Sequence, residues 1–227
     1  MIIRSLAQRY GSWRRFAALS LAIAIPLSLS SMHTASARPM VSISQTKSTI
    51  NELPSAERAA LYRGEVLVEG ENGEFRGKVL VNAPLDKAWE VLTDYDNFEN
   101  FLPNIESSAL LESDGNRNVF EQVNVIKVIP FVTTRSRIEI QSVETYPQRV
   151  EFSLVRGDLD ALDGVWQLEP IATADGERVL VTHRVSVEPG NGSPRSIFFS
   201  TYKSILEGSL SAAKQETEER AMAAAAL

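Results

Sequence analysis

Six short segments between residues 105 and 187 alternate apolar and polar side chains, and only turn sequences separate them. Strict alternation with such short connections is typical of an antiparallel sheet that buries one face. The turns are marked by Gly115-Asn116, by Tyr146-Pro147 and by Gly157-Asp158. The predicted strand segments are 109–112, 118–129, 131–143, 149–155, 162–170 and 178–187.

A long amphipathic helix is predicted after the last strand, from Pro194 to about Arg220, because its apolar residues recur at helical spacing. The apolar sheet face and the helix stripe each need a partner, so we expect the sheet to curve around this helix. Where the two layers do not touch along their whole length, an apolar cavity remains, and such cavities bind small molecules. The predicted fold class is therefore α+β, with a curved antiparallel sheet wrapped around a long C-terminal helix.

The segment ahead of these strands contains a hairpin signal and two short helices. Asn72-Gly73 lies between two alternating runs, as in a tight hairpin turn. Pro84 is well placed to begin a helix, where its missing N–H costs nothing. A second short helix is predicted at 94–101, before Pro103. The predicted architecture places these two short helices after the first strand.

Residues 1–37 have the three parts of a secretory signal peptide: arginines without acidic residues, an apolar stretch at 16–31, and Ala35-Ser36-Ala37. We predict cleavage after Ala37 and export to the periplasm or an equivalent compartment. An uncleaved anchor is the alternative, and Arg14-Arg15 permits a twin-arginine route, although Phe16 follows that pair one position early. The predicted divisions are a signal peptide at 1–37, a linker at 38–62, one domain at 63–220 and a frayed tail at 221–227.

Composition excludes several classes of function. The chain has 23 basic and 29 acidic residues and no Cys. Loss of four arginines with the leader leaves 19 basic against 29 acidic residues, a net charge of −10, which argues against nucleic-acid binding. The missing Cys excludes disulfides, thiol nucleophiles and Cys-ligated zinc. We find no phosphate-binding Gly loop, zinc-binding helix or Gly-x-Ser-x-Gly motif, and predict neither a metal nor a cofactor.

Two stretches resemble a known superfamily. The first stretch runs from Asn82 to Trp89 and continues through Thr93-Asp94-Tyr95 to Phe101-Leu102-Pro103. The second is residues 157–170, where a Gly-x-Trp sequence begins a strand. Both are similar to the START-like helix-grip (SRPBCC) superfamily, in its coenzyme Q-binding and polyketide cyclase branch. The resemblance covers about residues 63–218. It implies binding of a hydrophobic small molecule such as a quinone, isoprenoid, pigment or lipid, within a superfamily that also includes cyclases and regulators.

Alternation along the strands selects candidate ligand-binding residues, because every second side chain shares a face. His183, the only His outside the leader, falls among valines that share its face. Phe120 faces inward or outward depending on register. Many of the candidates are also typical of an ordinary core, and the alternative for His183 is a buried structural residue. The candidates are Phe120, Val132, Ile138, Phe152, Leu154, Trp166, His183, Phe198, Tyr202 and Leu206.

Three functions remain open from the sequence. The first is an exported, non-enzymatic carrier of a hydrophobic small molecule, with transient membrane contact and with the aromatic segment 98–103 gating the entrance. The second is a cyclase or dehydratase in which His183 or Tyr202 polarises a carbonyl group. The third is a ligand-free assembly module. An empty cavity would favour the first two over the third, and an uncharged lining would favour the carrier over the enzyme. We name no catalytic residue.

Overall fold

The computed structural model describes residues 49–129, 132–174, 176–190 and 194–226. The predicted signal peptide lies outside these residues. The helices are α1 Thr49–Glu52, α2 Ser55–Tyr62, α3 Leu85–Leu92, α4 Phe98–Phe101 and α5 Arg195–Ala225, with a 3-10 turn at Tyr95–Asn97 before α4. The strands are β1 Leu67–Glu71, β2 Glu74–Val81, β3 Ile105–Asp114, β4 Arg117–Ile129, β5 Val132–Thr145, β6 Arg149–Gly157, β7 Leu159–Thr173 and β8 Gly176–Pro189.

The eight described strands form one antiparallel sheet in the order β1-β2-β8-β7-β6-β5-β4-β3. The predicted hairpin joins β1 to β2, and its turn residues Asn72 and Gly73 have φ of 54° and 94°, values that Asn and Gly tolerate best. The two short helices follow this hairpin, so two strands precede them rather than one. Pairing of β2 with β8 places the start of the domain beside its last strand.

The C-terminal helix α5 packs in the curve of the sheet, as the sequence predicts. Leu206, Leu210 and Ala213 are buried along one stripe of this helix. Gly77 on β2 leaves room for Leu210, whose side chain occupies the space that a Cβ would take there. The helix continues to Ala225. The prediction of a frayed tail from residue 221 was therefore wrong up to that point, because alanine-rich sequence favours helix strongly.

The outer face of the sheet is also covered at one place. Ile50 of α1 and Leu61 of α2 are buried against Leu80, Ile171 and Leu180 of β2, β7 and β8. From Thr49 onward, the segment that we predicted as the end of a linker is therefore folded onto the domain. The sequence does contain a sign of this, because Val79-Leu80-Val81 and Val179-Leu180-Val181 are continuously apolar, as in strands buried on both faces.

Among the described helices, none is both long enough and apolar enough to cross a membrane.

Candidate functional site

A cavity of about 860 Å³ lies between the inner face of the sheet and α5. Proteins commonly bind drug-sized ligands in cavities of about 300–1,000 Å³. Large apolar side chains from β4 to β7 and from α5 form most of its wall. Eight of the ten predicted residues line it: Phe120, Ile138, Phe152, Trp166, His183, Phe198, Tyr202 and Leu206.

The other two predicted residues have different outcomes. Leu154 pairs with Ile140 across β5 and β6, and it packs half-buried against the core without lining the cavity. The alternation with Phe152 holds at this position, so Leu154 does face the core on the inner side of the sheet. Val132 lies at the start of β5, and its side chain is outside the described part of the structure.

His183 lies between two aromatic rings. The Phe152 ring is parallel to the imidazole within 8°, with centroids 5.4 Å apart, and the Trp166 ring centroid lies 3.8 Å away. Trp166 pairs directly with His183 across β7 and β8, and Phe152 pairs with Gly164 across β6 and β7. A Cβ at Gly164 would overlap the Phe152 ring, so this glycine makes the stack possible. The Gly-x-Trp motif thus positions both rings around His183.

Burial keeps the imidazole of His183 neutral. The residue is 5 % exposed, and burial lowers its pKa from 6.5 to about 3. A neutral imidazole has one N–H donor and one nitrogen acceptor. Its Nδ1 atom makes no hydrogen bond within the described residues. His183 therefore contributes an uncommitted polar group to an otherwise aromatic part of the cavity wall.

Tyr95 forms a further part of the wall that sequence reasoning missed. Its ring stacks on Phe120 with centroids 4.4 Å apart, and its hydroxyl donates to Glu144 Oε1 at 2.7 Å. Asn118 Nδ2 donates to the same oxygen, also at 2.7 Å. Burial raises the pKa of Tyr95 above its ordinary value, and the nearby Ser142 hydroxyl offsets part of this rise. The phenol is thus a fixed donor to Glu144.

Phe120 faces inward, which resolves the register that the sequence left open. It pairs with Ile140, and both side chains are buried. The same alternation brings Gln122 of β4 and Ser142 of β5 to the cavity wall. Both are at least nine-tenths buried. Parity counted from Phe120 would have found these two polar residues, but our selection considered mainly apolar side chains.

The cavity opens at one end, where its lining residues are exposed. Arg135 lies at this opening, and its Nε and Nη2 donate to Glu106 at 2.6 and 2.9 Å. Arg137, the next alternate residue, pairs with Glu121 on the outer face of the sheet. We call this opening the mouth; its exposed residues are Asn104, Thr134, Arg135, Gly157, Asp158, Asp160, Pro194 and Ile197.

The aromatic segment 98–103 also borders the cavity, but not as the sequence suggested. Phe98 is buried and makes edge contacts with Tyr95 and Phe120. The Phe98 ring thus completes an aromatic cluster inside the domain. Phe101 is half-buried beneath the guanidinium of Arg220.

The described part of the chain contains no group of three or more His, Asp or Glu residues arranged to hold a metal ion.

Comparison with known proteins places this geometry in a family. Residues 81–206 match the sequence profile of the polyketide cyclase/dehydrase and lipid transport family. The chain belongs to this family. Membership indicates a function of the hydrophobic ligand-binding, polyketide cyclase or lipid transport type. The matched region contains β4 to β8 and the first part of α5, which together carry most of the cavity wall.

Solved structures with the same fold include proteins with different names. A protein from Thermus thermophilus is 19 % identical with a TM-score of 0.52, covering 66 % of this chain and 98 % of its own. The ZhuI aromatase/cyclase from Streptomyces sp. R1128 is 19 % identical with a TM-score of 0.53, covering 65 % and 94 %. A STAR-related lipid transfer protein from Xanthomonas axonopodis is 22 % identical with a TM-score of 0.51, covering 67 % and 92 %. At these identities the likeness establishes the helix-grip fold alone. No curated protein matches the chain.

Proposed function

We propose that this protein is an exported carrier that binds a hydrophobic small molecule between its sheet and its C-terminal helix. The observation that supports this most is the cavity of about 860 Å³, whose buried wall is mainly apolar and contains no charged residue among those that the structure describes. A quinone, an isoprenoid, a pigment or a lipid fits such a wall. The coenzyme Q-binding branch suggested by the sequence is one version of this proposal.

Burial of apolar surface supplies the binding free energy. A ligand that removes about 300 Å² of apolar surface from water gains roughly 7 kcal/mol at about 25 cal/mol per Å². The rings of Phe120, Phe152 and Phe198 offer such contact without requiring a charge on the ligand. Binding of this kind accepts ligands of varied chemistry, provided that their shape fits the cavity. A carrier can use such binding.

An enzyme of the cyclase or dehydratase type is the second candidate. His183 and Tyr202 both line the cavity, and neither side chain has a hydrogen-bond partner among the described residues. Each has a proton that it can donate to a ligand carbonyl. However, no described carboxylate is hydrogen-bonded to His183 to orient it as a base, and its lowered pKa disfavours a protonated intermediate.

The decisive experiment is mass spectrometry of a solvent extract from the protein purified from its native host. We expect one neutral hydrophobic compound in near-stoichiometric amount. The variant Leu206→Trp places an indole in the cavity and should lose most of this compound, whereas Glu207→Trp, on the exposed face of the same helix, should retain it. Equal amounts in both variants, or a blank extract that stays blank after incubation with host membranes, would reject the carrier.

Export requires its own test. We expect the mature protein from the native host to begin at Arg38, as found by N-terminal sequencing of the protein released from the extracytoplasmic fraction. A chain lacking residues 1–37 should remain in the cytoplasm. An intact N-terminus in the membrane fraction would instead support the uncleaved anchor.

Transient membrane contact is proposed at the mouth, where Ile197 is 43 % exposed. We expect Ile197→Ser to slow transfer of the extracted ligand between vesicles. Tyr146→Ser, which removes an exposed aromatic residue at the β5–β6 turn, serves as the control. Equal transfer rates for the two variants would contradict contact at the mouth.

A further inference from the structure

Three polar side chains that line the cavity are at least nine-tenths buried and lack hydrogen bonds of normal geometry within the described residues. They are Gln122, Ser142 and His183. Ser142 lies near the Tyr95 hydroxyl, which donates to Glu144, but no hydrogen bond of normal geometry joins the two hydroxyl groups. Buried polar groups in native proteins nearly always have partners, because an unpaired one costs about 1–3 kcal/mol. Three such groups on one cavity wall point to polar atoms of a ligand.

Ser142 and His183 lie toward one end of the cavity, and Gln122 lies toward the other end. The pairing of adjacent strands places His183, Trp166, Val150 and Glu144 in one row across the sheet. Glu144 is two residues from Ser142 along β5. His183 and Ser142 therefore occupy neighbouring rows, which we call the inner end.

Gln122 is closer to the mouth. It pairs with Ile138, four residues along β5 from Ser142. At about 3.3 Å per residue, this separates the two polar positions by about 13 Å. The row between them is apolar, with Phe120, Ile140 and Leu162 on the cavity wall.

The charges at the cavity exclude an ionised ligand. Of the described lining residues, only Arg135, Asp158 and Asp160 are charged, and all three lie at the mouth. The guanidinium of Arg135 is already bound by Glu106 through two hydrogen bonds. A carboxylate or phosphate in the cavity would lose its hydration without gaining a free cation, and it would pass two aspartates on entry.

We propose that the ligand is a neutral, elongated molecule with an oxygen-bearing group, hydroxyl or carbonyl, at each end and an apolar middle. One end bonds with Ser142 or His183, and the other bonds with Gln122. The apolar middle spans the row of Phe120, Ile140 and Leu162. This inference rests on the proposed carrier function and specifies the class of its ligand.

Displacement of the neutral dye Nile red from the purified, delipidated protein tests the ligand class. The competitors are four compounds of one chain length: an α,ω-diol, the monoalcohol, the alkane and the fatty acid anion. We expect the diol to compete about three- to tenfold better than the monoalcohol, since each net hydrogen bond contributes that factor, and the anion to compete worst. Equal competition by the alkane or the anion would overturn this inference and leave the carrier proposal standing. Failure of Nile red to bind, together with a blank extract, would instead reject the carrier itself.

Two variants locate the hydrogen bonds. Ser142→Ala and Gln122→Leu should each reduce the preference for diol over monoalcohol to less than about twofold while preserving Nile red binding. Ser108→Ala and Gln141→Leu are matched controls, because Ser108 already donates to the Tyr95 carbonyl and Gln141 accepts from Arg117. Loss of the preference in the controls as well, or its retention in both test variants, would contradict the assignment.

Discussion

The indole ring of Trp166 and the imidazole ring of His183 lie 3.8 Å apart, centroid to centroid, on directly paired positions of adjacent strands. Phe152 covers the imidazole from another strand, in the space left by Gly164. A polar ring is therefore held by aromatic surfaces rather than by hydrogen bonds. Its position is fixed by packing, and its Nδ1 atom has no hydrogen-bond partner among the described residues.

This burial makes stability depend on pH. The folded protein keeps His183 neutral down to a pKa of about 3, whereas the unfolded chain binds a proton below about pH 6.5. Stability from this residue is therefore fully present above pH 6.5 and is lost as the pH falls toward 3. We expect the unfolding free energy of the wild type to fall by about 2 kcal/mol more than that of His183→Phe between pH 7 and pH 5, as measured by urea denaturation. Parallel pH profiles for the two proteins would mean that His183 has the same pKa in the folded and unfolded states, so that the folded protein also takes up this proton below about pH 6.5.

Gly164 should not tolerate a side chain. Its Cβ would overlap the carbonyl oxygen of Arg184 as well as the Phe152 ring, and the backbone contact has no easy relief. We expect Gly164→Ala to lower the unfolding free energy by about 2 kcal/mol and to weaken Nile red binding. Gly208→Ala is the contrasting change: it lies in α5, where the nearest described contact, Pro103 Cγ at 3.5 Å, is ordinary. Helix propensity predicts that it stabilises by about 0.5–1 kcal/mol, and equal effects at the two glycines would refute the packing argument.

The two N-terminal helices should contribute to folding. Leu61 is 1 % exposed and packs with Leu80 and Leu180 on the outer face of the sheet. We expect Leu61→Ala to cost about 3 kcal/mol in thermal or chemical denaturation. Leu111→Ala makes the same change at a residue that is 49 % exposed, and should change stability by less than about 0.5–1 kcal/mol. Equal stabilities of the two variants would restore the linker interpretation.

The hydrogen bond from Tyr95 to Glu144 should stabilise the wall of the cavity. Tyr95→Phe removes the donor and leaves the carboxylate oxygen with Asn118 as its remaining described partner. We expect a loss of about 1.5 kcal/mol, typical of a hydrogen bond to a carboxylate. Tyr146→Phe, at a residue that is 69 % exposed, is the control and should have no measurable effect. A Tyr95→Phe protein as stable as this control would mean that water replaces the phenol.

The sequence predicted the parts of this structure that depend on periodicity. Alternation was sufficient to place Phe152, Trp166 and His183 on the inner face, since strand period and burial agree there. It placed Leu154 on that face as well, but alternation alone does not show which residues of a face border the cavity. Gln122 shares the parity of Phe120, but we did not choose it, because a buried polar residue looks like a solvent-facing one until its neighbours are known.

The covering of the sheet on two faces was harder to predict than the sheet itself. Leu80 and Leu180 break strict alternation, but only the structure reveals that Ile50 and Leu61 are what they contact. The residues that cover the outer face lie in a segment whose composition is typical of a linker. Tertiary burial therefore decided its structure more than local sequence did.

This double covering is confined to β2, β7 and β8, whereas the outer sides of β4 and β5 hold exposed ion pairs such as that of Arg137 with Glu121. Local opening is easiest where few apolar contacts must be broken. Amide protons of β4 and β5 should therefore exchange with solvent sooner than those of β2 and β8. The cavity wall can then adjust to a guest molecule on the side of β4 and β5, while the doubly covered side keeps the domain folded.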